Sequence, residues 1–165
     1  MTTDHHTADA PAAGRDDTTE RTRATLMAFL GRLREGDPER IAELFAERVD
    51  WTIADNPAVP WIRPRHTRAD VADHFRELAA GQRADPAGTS VDTIVVEGTA
   101  AMLSGSLAGT VISTGKRFSS PFAMRLTVHG GLITGYLVVE DSLAIAEACT
   151  PPCASRPRGT GRARH

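Results

Sequence analysis

The stretch LREGDPERIAELFAERVDW, Leu33 to Trp51, holds a helix end, a helix start and a change of periodicity. Gly36 ends the first helix, because glycine adopts the left-handed backbone of a helix C-terminus without a steric penalty. Asp37-Pro38 opens a second one: the aspartate can cap free N–H groups, and proline is tolerated at the first helical position. Ile41, Leu44 and Phe45 recur at helical spacing and form its inward side. From Val49 to Ala54 the pattern changes to alternation, which predicts a strand. Two helices running into a strand is the entry to a mixed fold.

On the N-terminal side, Asp17 and Glu20 have the spacing of a capping box and predict a helix with Leu26, Phe29, Leu30 and Leu33 on one face. Residues 1–16 are polar, carry a His5-His6 pair, and offer nothing apolar to bury, so a disordered leader is expected there. On the C-terminal side, Asp55-Asn56-Pro57 with Pro60 and Pro64 predicts irregular backbone, since proline blocks both helix and ladder. Thr67 with Asp70 caps a third helix whose inward stripe is Val71, His74, Phe75 and Leu78. Residues 81–88 read as a loop. Strand signals follow over 90–97, 101–114, 117–129 and 132–140, separated by Gly98-Thr99, Thr114-Gly115 and the two-residue hairpin turn Gly130-Gly131. Ser142 to Ala148 reads as a short closing helix. The last residues, 150–165, form a basic tail with Pro, Gly and Ser. One domain over 17–149 is therefore expected between two tails.

Three helices followed by antiparallel strands make a segregated α+β layout. A bent sheet wrapped over helices leaves a gap between the layers, where small-molecule pockets form, so a mostly apolar internal pocket is expected. The bulk properties agree with a globular chain: 165 residues, 41% hydrophobic, 24% charged, net charge −2. That charge gives no electrostatic reason for a nucleic acid or an anionic membrane as partner. No apolar run reaches the roughly 20 residues that span a bilayer, and the first residues lack a signal-peptide core; a cytoplasmic protein is expected. Cys149 and Cys153 have no companion set of ligands, so they read as free thiols, with no metal and no cofactor. Neither a glycine-rich phosphate cradle nor a nucleophile elbow is present.

LREGDPERIAELFAERVDW resembles the helix–GD–helix–LFA–strand entry of the nuclear transport factor 2-like superfamily. GGLITGYLVVEDSLAI, Gly130 to Ile145, resembles its hairpin and final strand, and RADVADHFREL, Arg68 to Leu78, fits the spacing between them. The resemblance covers about Thr18 to Ala148, and its nearest branch is the SnoaL-like proteins, which include polyketide cyclases. It implies a cone: a curved antiparallel sheet wrapped around three N-terminal helices, with an internal cavity and often a dimer through the outer sheet face. The superfamily's ketosteroid isomerases use a tyrosine and two aspartates, and those positions fall on Phe29, Ile53 and Met124. The mid-strand acid of limonene epoxide hydrolase and the SnoaL cyclases falls on Val138, and the hydrolase's Arg-x-Asp pair falls near Ser104 and Ser106. None of these residues replaces the missing acids.

Strand alternation puts Tyr136 and Glu140 on the face of Val138. Glu140 is then the only carboxylate on that face, and partial desolvation suits it to acid–base work. His74 lies on an apolar stripe, as a core residue bonded to backbone or as a second acid–base group. Trp51 shares a face with Ile53 and offers a flat surface to a ring-bearing ligand or simply fills the core. Trp61 and Asp55 belong to a proline-rich loop that could cover the cavity. Arg125 is placed on the outer sheet face, and Asp141 as the cap of the last helix. The expected ligand contacts are thus Phe29, Trp51, Ile53, Asp55, Trp61, Met124, Tyr136 and Val138. The reading is a pocket protein for a small apolar polyketide- or terpenoid-like compound, catalysing a cofactor-free isomerisation, cyclisation or dehydration through His74 and Glu140. The alternative is a non-catalytic binding or dimeric assembly module that lacks the acids.

Overall fold

The side chain of Asp37 accepts the backbone N–H groups of Glu39 and Arg40, and Thr67 and Asp70 form a reciprocal capping box, so two of the helix starts are built as their sequences dictate. The structure, a computed structural model, describes residues 10–152, with side-chain surroundings from Gly14 onward. Its helices are α1 (Ala10–Glu35), α2 (Pro38–Ala42), α3 (Arg68–Gly81) and α4 (Ser142–Cys149). Its strands are β1 (Phe45–Ile53), β2 (Gln82–Ala84), β3 (Ser90–Glu97), β4 (Ala100–Val111), β5 (Arg117–His129) and β6 (Leu132–Glu140).

The strands form one six-stranded sheet in the order β1-β6-β5-β4-β2, with β3 also paired to β4. From β3 to β6 each strand pairs antiparallel with the next, as glycine-bearing turns between them allow; Gly98, Gly115, Gly130 and Gly131 all have positive φ. β1 adds to the free edge of β6 in parallel, so Trp51 lies opposite Tyr136 and Ile53 opposite Val138. The sheet curls into a half-barrel around α1 and α3. The main core lies in that concavity and includes Leu26, Phe29, Ile41, Phe45, Val71, Phe75, Leu126 and Ile133. Threonines of α1 fix its distance from the hairpin turns: Thr22 donates to the Gly98 carbonyl at 2.8 Å and Thr25 to that of Gly131 at 3.1 Å.

Several boundaries differ from expectation. α1 begins at Ala10, within the segment read as a leader, and Asp17 lies inside it, paired with Arg21 one turn on at 2.5 Å. α2 stops at Ala42, and the fully buried Phe45 opens β1, whose pairing with β6 shifts register between Phe45 and Asp50. Residues 82–84, read as loop, form β2 on the end of β4. The proline-rich loop is held down: the Asn56 amide donates to the Ser142 carbonyl at 2.8 Å, and Val59 and Trp61 join Val111, Ile145 and Ala148 in a second small core. Cys149 is a half-buried free thiol, while Cys153 and residues 1–9 and 153–165 lie outside the described residues. Among the described residues no helix is long and apolar enough to cross a membrane.

Candidate functional site

Pairing register aligns the inner face of the sheet into rows. One row runs Ile53, Val138, Met124 and Leu103 across β1, β6, β5 and β4. The next, deeper in the cone, runs Trp51, Tyr136, Leu126 and Ala101. At the open end Glu140 lies opposite Phe122, which lies opposite Gly105. Three positions that the resemblance gives to catalytic acids thus converge as direct cross-strand partners, and all three are apolar: Ile53, Met124 and Val138. Ser104 and Ser106 fall in the alternate rows with Ala123 and Pro121, on the outer face, as does the exposed Arg125.

α3 and α1 place their rings against these rows. Trp51 stacks on Tyr136 with centroids 4.1 Å apart and planes 17° from parallel, and meets His74 edge-on at 4.8 Å. Phe29 touches Phe45, Phe75 and Tyr136 at 5.8–6.3 Å. These rings pack against one another along the concave face, and Trp51, Ile53 and Glu140 on that face remain only part-buried. The cause of the stacking is the parallel pairing of β1 with β6, which sets the indole of Trp51 in register with the Tyr136 ring on the concave face. Among the described residues, the surface concavities include two away from this wall. One, of about 230 Å³, lies between α1 and the Gly98 and Gly130 turns and includes Arg21 and His129; the other, of about 480 Å³, lies between β5 and α4.

His74 is 4% exposed, and its Nδ1 lies 3.2 Å from the Trp61 carbonyl oxygen. Burial, and then the charge of Arg65, push its pKa down to about 4, so the imidazole is neutral near pH 7. Glu140 is half-buried and its carboxyl is pushed up by burial; it has no ion-pair partner among the described residues. Tyr136 is buried deeper on the same strand face, and burial together with the Glu140 charge raises its phenol above the usual range.

Of the expected residues, the structure groups Phe29, Trp51, Ile53, His74, Met124, Tyr136, Val138 and Glu140 on one inner wall. Asp55 and Trp61 are not part of that group. Asp55 is exposed in the loop, and Trp61 is walled in against Gly81 and the second core, its carbonyl facing His74. The sequence reading missed Arg65, 6% exposed and paired with Glu77 at 2.5 Å, which sets the field on His74. An arginine between Pro64 and His66 in an irregular loop gives no periodic signal of burial. Asp141 caps α4 as expected, accepting the Ala144 N–H at 3.0 Å.

A curled sheet closed over helices is the α+β cone of the nuclear transport factor 2-like fold. Residues 26–136 match the SnoaL-like domain, and the chain belongs to that family. An NTF2-like protein from Burkholderia xenovorans LB400 superposes with a TM-score of 0.70 at 21% identity, over 80% of this chain and 98% of the other. A candidate polyketide cyclase from Xanthomonas campestris pv. campestris gives 0.64 at 17% identity, over 81% and 99% of the two chains. An LEH-like epoxide hydrolase from M. tuberculosis gives 0.59 at 14% identity, over 79% and 90%. At these identities the likeness is one of fold. A search of curated proteins finds no match.

Proposed function

We propose that this chain handles a small, mostly apolar organic molecule of polyketide- or terpenoid-like character at the inner wall, and acts on it without a cofactor through Glu140. The observation that carries this reading is Glu140 itself: a half-buried carboxyl whose pKa burial raises, with no ion-pair partner among the described residues, at the edge of the inner wall. Packing alone gives no reason to desolvate a carboxyl, since its charged form costs free energy there. A carboxyl whose pKa burial raises is a better proton acceptor than an ordinary one, as isomerisation, cyclisation or dehydration next to a carbonyl requires. Trp51 and Tyr136 supply flat apolar area for the ligand, and Ile53, Met124 and Val138 line its approach.

The second reading is a binding or assembly module without turnover. It is favoured by the row Ile53–Val138–Met124, which carries no acid where relatives use one. Mass spectrometry of small molecules carried by the freshly purified protein, followed by turnover of the compound found, separates the two. Turnover lost in Glu140→Gln with ligand binding retained supports the enzyme; binding without turnover in the native protein supports the module. A protein that carries nothing and binds no apolar ring compound ends both.

A further inference from the structure

Trp51 Nε1 is buried and has no hydrogen-bond partner among the described residues. An indole N–H only donates, so this position calls for an acceptor oxygen from elsewhere. The ring against it, His74, has its centroid 4.8 Å away at 65° to the indole plane. His74 Nδ1 faces the Trp61 carbonyl, which only accepts; the hydrogen of the neutral ring therefore sits on Nδ1 and leaves a lone pair on Nε2. Touching rings thus carry an unpartnered donor and an acceptor lone pair.

We infer that Trp51 and His74 form a hydroxyl-recognition pair, in which one oxygen accepts from Trp51 Nε1–H and donates its hydrogen to His74 Nε2. The inference rests on the proposed handling of a ligand at this wall and names its class: an apolar molecule with an alcohol or phenol group. A carbonyl or ether oxygen satisfies Trp51 and leaves Nε2 without a hydrogen. An ammonium satisfies Nε2 and leaves the indole without an acceptor. A carboxylate does no better than a carbonyl and brings a second negative charge to the wall that holds Glu140. Of these groups only a hydroxyl meets both nitrogens, and water shares that chemistry. A histidine held neutral down to a pKa of about 4 is too weak a base to deprotonate an alcohol, so His74 positions the hydroxyl.

The test uses the full chain and two measurements. Nitrogen-15 NMR of the histidine rings reads the His74 tautomer without any ligand: hydrogen on Nδ1 is expected, and hydrogen on Nε2 overturns the pair. Titration with phenol and with toluene, its near-isostere, then follows the Trp51 indole N–H resonance, identified by its absence in Trp51→Phe. Phenol is expected to move that resonance and to bind about tenfold more tightly than toluene, the worth of two modest hydrogen bonds. The preference should fall to near one in Trp51→Phe, which keeps a ring on Tyr136. It should also vanish in His74→Asn, which keeps a donor toward Trp61 and removes the Nε2 lone pair. Equal binding of phenol and toluene overturns the pair, as for a site that holds only water, and leaves the apolar-ligand reading standing. Binding of neither probe removes both.

Discussion

His74 and Glu140 respond to pH in opposite directions, which makes their burial measurable without a substrate. The ordinary histidine value is 6.5, and in the folded chain it is lowered to about 4. As pH falls below 6.5 the unfolded chain takes up a proton that the folded chain refuses. The stability due to neutral His74 is therefore full above 6.5 and lost as pH falls through about 4; the shift corresponds to about 3 kcal/mol. His74→Phe, which keeps a ring but does not titrate, is expected to lose less stability than the native chain between pH 7 and pH 4.5 in urea unfolding. Equal losses would place His74 in water. Glu140 works the other way: its folded value is raised, so its stability is present below 4.5 and lost as pH rises through the folded value. Glu140→Gln should melt higher than the native protein at pH 8, with the difference vanishing in acid. The helical spacing of Val71, His74 and Leu78 made the burial of His74 legible. Its hydrogen-bond partner was not, because the Trp61 carbonyl arrives from an irregular loop that no periodicity locates.

Element positions were legible where local chemistry fixes them. Asp37-Pro38, Thr67/Asp70 and Asp141 each cap the helix that they announce, because a cap is an interaction within one turn. Strand boundaries failed where pairing decides them. Phe45 has helical spacing from Ile41 but belongs to β1, and Gln82–Ala84 becomes a strand only because the end of β4 offers free backbone groups. The α3–loop junction makes a further element-scale prediction. A Cβ on Gly81 would overlap Cε3 and Cζ3 of the Trp61 ring, which is itself 5% exposed. Gly81→Ala must push that ring out of the second core and is expected to cost about 1–3 kcal/mol, the usual range for overpacking. In a Trp51→Phe background the remaining tryptophan emission should shift to the red; an unchanged spectrum with unchanged stability would show that Trp61 is not held by that contact.

The cone was legible as a whole because the order of helices, turns and strands admits few sheet topologies. The stacking of Trp51 on Tyr136 was not, because it depends on which residue of β1 meets Tyr136, and alternation gives a strand's faces without giving its partner. The same register arranges the outer face. Val95 pairs with Met102 and Met102 with Arg125, while Val139 pairs with Ala123 and Ala123 with Ser104. Val95, Met102 and Val139 are 58%, 51% and 58% exposed, so large apolar side chains stand on the convex side next to Arg125. Grouped apolar side chains of this size on a sheet face are a feature of association surfaces. A two-fold contact brings the same patch from both copies together, so one substitution acts twice. We therefore expect a homodimer through this face in sedimentation velocity, and Val139→Lys is expected to shift it to monomer at the same concentration. Because Val139 points away from Tyr136 and Val138, the fold and the phenol preference of the inner wall should survive the change. A native chain that sediments as a monomer at tens of micromolar would remove the dimer and leave the inner-wall argument untouched.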